Sequence, residues 1–337
     1  MREDGIFPTP FERSPVRFRP IASLSVAAAA ALLLAGCSGS PDQAQSPDAA
    51  TQSPDAGQCQ APLADAPAPD GLTVSGDFQA KVDVTLPDAY APTDLQRTTL
   101  IEGSGEQVQA GDVLKANFTL IDAASGEVQL QSIDSAPDGM DTLISSQQIF
   151  GASLQCATIG SRTVSSFPAG ALGDGSPAFV LVADAIEELP TRAEGTEVAP
   201  VAGMPTVTFA DDGAPTITVP SDPAPSETRI ENLRRGDGDV VNPGDTVIVQ
   251  YTGVLYDGGT VFDSSWQSGT PAQFSTTGVV PGFKKALEGQ TVGSQVVAVI
   301  PAADGYGDQE AGSIPPNSTL VFVIDILGVQ HAPEAAQ

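Results

Sequence analysis

The chain has 337 residues, with 42 Asp or Glu against 14 Lys or Arg, and a formal net charge of -28. That balance excludes nucleic acid and anionic membrane surfaces as electrostatic partners, because both would repel it. The length is enough for two ordinary domains plus extensions, while 29 prolines and 5% aromatics place part of it outside any packed core.

Residues 1–36 read as an export signal. Arg2, Arg13, Arg17 and Arg19 precede an apolar run from Ile21 to Leu34, shorter than the roughly 20 residues a membrane span needs. The run ends in Leu34-Ala35-Gly36-Cys37, which resembles a bacterial lipobox. The resemblance implies cleavage before Cys37, a lipid on its thiol and anchoring to the outer face of the cell membrane. Residues 37–70 read as a disordered linker. Ser-Pro-Asp-Ala recurs at positions 46 and 53, and too few apolar residues surround it to offset the entropy of ordering. The two remaining thiols, Cys59 and Cys156, could form one disulfide in an exported chain; two unrelated thiols are the alternative.

Beyond the linker the chain repeats itself. Gly111-Asp112-Val113 matches Gly244-Asp245-Thr246, and Ile159-Gly160-Ser161 matches Val292-Gly293-Ser294, both at an offset of 133 residues. A shared offset at separated positions indicates duplication. The predicted domains are 71–195 and 227–330. A linker with a short lead-in strand, Thr206 to Phe209, fills 196–226, and 331–337 form a tail.

Each repeat reads as mainly β. In the second, Val247, Val249 and Tyr251 alternate with Ile248, Gln250 and Thr252. Later runs, Val296 to Ile300 and Leu320 to Leu327, are rich in β-branched residues. Between them Phe283, Ala286 and Leu287 stand at i, i+3 and i+4, one face of a short helix that Pro281 opens and Gly289 ends. The expected class is α+β, a curled antiparallel sheet over one short helix in each of two domains.

Several elements recur in order over the last third of the chain. They are Tyr251-Thr252-Gly253, Phe262-Asp263-Ser264-Ser265, Val279-Val280-Pro281-Gly282-Phe283, Tyr306-Gly307, Ile314-Pro315-Pro316 and Leu320-Val321-Phe322. Together they resemble the signature of the FKBP family, peptidyl-prolyl cis-trans isomerases that bind tacrolimus and rapamycin. The resemblance implies an apolar pocket with Phe283 as its floor, where the family more often has Trp. Its walls would be Tyr251, Phe262, Phe274, Val279, Val280 and Phe322. Ile314 would cap the site, Tyr306 would hydrogen-bond a substrate carbonyl, and Asp263 would orient Tyr251 or polarise the amide. Tyr251, Asp263 and Tyr306 are the candidate catalytic residues. No metal and no cofactor is expected, since the reaction breaks no bond and moves no proton.

Two departures from the family pattern stand out. Ala272 replaces an aromatic before Gln273-Phe274, and Phe283 replaces Trp, so macrolide binding should be weakened. In the first repeat Phe118 and Phe150 match Tyr251 and Phe283, but Ser146, Gln147 and Leu172 stand at the places of Val279, Val280 and Tyr306. That repeat should be FKBP-like without isomerase activity. The expected partners are proline-containing exported polypeptides. The alternative is a non-catalytic or chaperone-like lipoprotein that binds proline-containing peptides.

Overall fold

The computed structural model describes residues 59–332. The signal peptide, Cys37 and the first part of the linker lie outside the described residues. In chain order the strands are β1 (Ala64–Asp65), β2 (Thr73–Ser75), β3 (Asp83–Thr85), β4 (Gln96–Ile101), β5 (Val113–Asp122), β6 (Val128–Gln131), β7 (Met140–Leu143), β8 (Arg162–Phe167) and β9 (Phe179–Leu189), with helix α1 (Ile149–Leu154) between β7 and β8. They continue as β10 (Thr196–Glu197), β11 (Thr206–Phe209), β12 (Pro215–Thr218), β13 (Arg229–Arg235), β14 (Thr246–Leu255), β15 (Val261–Ser264), β16 (Ala272–Ser275), β17 (Gln295–Ile300) and β18 (Leu320–Gln330). Helix α2 (Ser265–Ser268) follows β15, and α3 (Pro281–Leu287) follows β16. Mixed sheets and few helices make the fold α+β.

The strands form two seven-stranded sheets of the same design. One runs β1-β4-β8-β9-β5-β6 with β7 also on β5, the other β10-β13-β17-β18-β14-β15 with β16 also on β14. The 133-residue offset is visible in the hydrogen bonds. Phe118 N–H donates to Ser132 Oγ at 2.8 Å, and Tyr251 N–H to Ser265 Oγ at 2.8 Å. Leu120 faces Leu130, as Gly253 faces Asp263, so the place of Asp263 is taken by Leu130.

Alternation in β14 turns Val247, Val249 and Tyr251 toward α3, where they pack with Phe283, Ala286 and Leu287. Burying a side chain such as Leu287 contributes about 2–3 kcal/mol. The opposite face of β14 is buried as well. Ile248 meets Val113, Leu143 and Leu327 in a cluster shared by both repeats. The buried Asp141 crosses the same junction, accepting the Val329 N–H at 2.9 Å and the Lys115 ammonium at 3.1 Å. Burial raises the Asp141 pKa against these contacts.

The segments expected to be linkers carry more structure than their composition suggests. Within 37–70, residues from Cys59 onward are built into the first repeat. Leu63 is buried, β1 pairs with β4, and a disulfide joins Cys59 to Cys156. Within 196–226, β11 and β12 form a hairpin whose Val207 and Ile217 pack on Val297, Val299, Val321 and Val323. The hairpin β2–β3 covers the matching face of the first sheet through Val74 and Val84. Short strands hide in these Pro-rich stretches because each buries only one or two apolar side chains. The start of the tail is tied down too, since Asp245 accepts the Ala332 N–H at 2.9 Å and meets the His331 ring at 2.8 Å.

Candidate active site

The site lies between β14, β15, β16, β18 and α3. Its centre is Tyr251, 8% exposed, whose ring meets Phe274 at 5.5 Å, Phe283 at 6.3 Å and Phe322 at 6.4 Å between centroids. Phe283 meets Phe322 at 5.0 Å and Phe274 at 5.6 Å, both edge to face, and Phe262 meets Phe322 edge to face at 5.4 Å. Edge-to-face contacts use the ring quadrupoles favourably and hold each ring at a fixed tilt. Ile314 belongs to the same cluster, and Val279, Val280 and Ala272 pack against its edge.

Each ring is placed by a local backbone device. Pro281 occupies the first turn of α3, and the Val280 carbonyl accepts the Lys284 N–H at 3.0 Å, which turns Phe283 inward. Phe262 and Phe322 meet across Gly253, which lies between them on β14. A Cβ there would come within 2.5 Å of Phe262 and 2.8 Å of Phe322. Ile314 is held by a tight turn in which it and Ala311 exchange backbone hydrogen bonds. Gly253 and Ser265 stand within the sequence motifs, but the motifs gave neither of them a role. Ser265 repeats Ser132 at the 133-residue offset, which is the one sequence signal that could have found it.

Two polar groups border the apolar cluster. The Tyr251 hydroxyl donates to Asp263 Oδ2 across the β14–β15 pair. Burial first, and then this bond, push the Tyr251 pKa well above the ordinary phenol value, so the hydroxyl stays a neutral donor at physiological pH. Tyr306 stands on the loop after β17, 41% exposed. The ten residues proposed from sequence are therefore brought to one region, with the rings and Ile314 inside, Asp263 at the edge and Tyr306 on the rim. In the first repeat only one ring pair survives, Phe118 and Phe150 at 4.7 Å. Leu120, Leu130 and Leu172 take the places of Gly253, Asp263 and Tyr306.

A family model described as FKBP-type peptidyl-prolyl cis-trans isomerase matches residues 238–327, the stretch that holds all ten candidate residues of the second repeat. The chain is 40% identical over 108 residues to the FK506-binding protein of Streptomyces anulatus, covering 31% of this chain and 87% of that protein. It is 42% identical over 103 residues to the FKBP-type peptidyl-prolyl cis-trans isomerase FkpA of Escherichia coli (strain K12), covering 31% of this chain and 38% of FkpA. The crystal structure of FkpA from Escherichia coli aligns with a TM-score of 0.31 and 33% identity, over 40% of this chain and 55% of that one. The chain belongs to the FKBP-type peptidyl-prolyl cis-trans isomerases.

Proposed function

We propose that the second repeat isomerises X-Pro bonds of exported polypeptides while a lipid on Cys37 anchors the chain to the outer face of the cell membrane. One observation carries the catalytic reading. Tyr251 is buried against Phe274, Phe283 and Phe322 and its hydroxyl is committed to Asp263, so the pocket is apolar with its polar groups at the edge.

The barrier to prolyl rotation is about 18–20 kcal/mol, set by the double-bond character of the amide. The planar amide is more charge-separated than the twisted one. A dry aromatic pocket therefore raises the planar form relative to the midpoint, and a shape suited to the twisted amide adds to this. Phe283 serves as the floor, with Tyr251, Phe262, Phe274, Val279, Val280 and Phe322 around it and Ile314 over the proline ring. Tyr306 donates its hydroxyl to a substrate carbonyl, and Asp263 fixes Tyr251. Lowering the barrier by about 5.5 kcal/mol gives roughly 10⁴-fold.

The first repeat is an FKBP-like domain without this activity, because the rings and hydroxyls around Phe118 and Phe150 are gone. The export signal at 1–36 and the cystine in the first repeat support an extracytoplasmic site of action. Labelling with a fatty acid tests the anchor, and label that persists in Cys37→Ser rules it out.

A protease-coupled isomerase assay on the full chain tests the catalytic reading. Rates equal to the uncatalysed background, with proline peptides still bound, would establish the second reading, a peptide-binding lipoprotein. Ala272 favours that reading, since no ring stands at that part of the wall. Tacrolimus-type macrolides should bind weakly for the same reason.

A further inference from the structure

A buried carboxylate far from the aromatic pocket differs between the repeats. In the first, Asp184 forms an ion pair with Arg162 at 2.6 Å, each side chain 3% exposed. The same guanidinium donates to the carbonyls of Gly76 at 2.7 Å and Asp77 at 2.8 Å, just past β2. At the matching places of the second repeat stand Asp325, Gln295, Phe209 and Ala210, so the guanidinium is missing.

What remains is a cavity of about 410 Å³ lined by Gln295, Asp325, Phe209, Ala210, Arg192 and Arg234, among others. Asp325 is 2% exposed. It accepts from Gln295 Nε2 at 2.7 Å and from the Ala193 N–H at 2.8 Å. The first bond fixes the orientation of the Gln295 amide, because a carboxylate accepts only from its nitrogen. Gln295 Oε1 is then left buried without a donor among the described residues, although Gln295 is only 4% exposed. A buried acceptor left unpaired costs free energy, and a donor that reaches it is favoured. Both arginines at the cavity have carboxylates of their own, Arg234 with Glu197 at 2.8 Å and Arg192 near Glu194 at 4.0 Å. Both arginines also favour the charged form of Asp325 from nearby, but among the described residues neither hydrogen-bonds it, so its carboxylate has no guanidinium paired to it.

We propose that this cavity is a binding site for a guanidinium group, which takes the place that Arg162 fills in the first repeat. A guanidinium suits it better than an ammonium, because the planar fork can pair with the carboxylate and donate to Gln295 Oε1 at the same time. The group arrives on an arginine side chain of another polypeptide or on free arginine. The site is separate from the isomerase pocket, so its test does not depend on isomerase activity.

The single tryptophan of the chain supplies the readout. Gly213 lines the cavity, and a Cβ on it would lie 3.0 Å from Trp266 and 3.1 Å from Arg192. Trp266 fluorescence of the full chain is titrated with N-acetylarginine methylamide, with free arginine and with the citrulline analogue. The arginine amide should give a saturable change, and the neutral citrulline analogue should bind about tenfold or more weakly, as loss of charge-assisted bonds implies. Tighter binding of the amide than of free arginine identifies polypeptides as the source, and the reverse identifies the free solute. Q295R, which restores the intramolecular pair, should abolish the response while the fold is kept, and D325N should weaken it about tenfold. The proposal is overturned by a linear response in the wild type, by equal binding of the citrulline analogue, or by an unchanged titration in Q295R. Any of these would mean that the cavity holds water only.

Discussion

Cys156 and Gly289 hold the same place in the two repeats, and both have left-handed backbones, with φ of 68° and 81°. Each N–H donates to the carbonyl of the matching valine, Val108 or Val241. Glycine adopts this conformation freely, whereas a residue with a Cβ pays roughly 1–2 kcal/mol. The cysteine is kept there by its disulfide to Cys59, 97 residues away in sequence. Closing a loop of that length stabilises by about 4–5 kcal/mol in the chain-entropy picture. Cys59→Ser should therefore destabilise the first repeat by up to that amount. Cys156→Gly should be about 1 kcal/mol less damaging, because it relieves the backbone. Denaturant unfolding of both variants checks this, and equal losses would show that residue 156 stores no strain.

Loss of one neutral hydrogen bond is worth about 0.5–1.5 kcal/mol, so Tyr306→Phe should lower kcat/KM by about three- to tenfold. Asp263→Ala should cost about tenfold or more, since it strands the buried Tyr251 hydroxyl. Leu172→Ala in the first repeat should leave kcat/KM unchanged. The protease-coupled assay on the three full-chain variants reads all of these.

Gly253→Ala should both destabilise the second repeat and slow catalysis. Its Cβ would fall 2.5 Å from Phe262 and 2.8 Å from Phe322, so the rings must part. Overpacking of this kind costs about 1–3 kcal/mol. Thermal unfolding and kcat/KM should fall together. Leu120 at the equivalent position shows the converse, that a large side chain is accepted once those rings are absent.

Burial raises Asp325 from the usual 3.8 to about 6, against the pull of the Ala193 N–H, Gln295, Arg234 and Arg192. The folded chain thus holds this proton more tightly than the unfolded chain. The contribution is fully present below about pH 3.8, is lost as pH rises towards 6, and is flat above. The total change is on the order of 3 kcal/mol. Asp325→Asn keeps an acceptor for Ala193 and has no charge to bury. The difference in unfolding free energy between wild type and this variant, measured from pH 4 to pH 7, should move in favour of the variant. A constant difference would contradict the assignment.

Much of this architecture could be read from sequence, and the exceptions have physical causes. The alternation at Val247, Val249 and Tyr251 and the spacing of Phe283, Ala286 and Leu287 encode a strand and a helix packed on each other. Conserved spacing across Gly111 and Gly244 exposed the duplication. The hairpin β11–β12 was legible only as one lead-in strand, because Pro200, Pro205, Pro215 and Pro220 mask it and its apolar content is small. The rings of the site were recognisable by their order. The role of Gly253 was not, since it depends on two side chains meeting across a third strand. The cavity at Asp325 was also hidden, because Gln295 acquires meaning only beside Arg162.

The two hairpins set a relative chronology for this chain. Thr73 pairs with Thr85 and Thr206 with Thr218, so both hairpins share one register at the offset of the whole repeat. The hairpin was therefore part of the ancestral unit before it was copied. The short edge strands tell a different history, since β1 joins β4 in parallel while β10 joins β13 antiparallel. Those edges and the aromatic pocket differ between the copies, whereas the hairpin register does not.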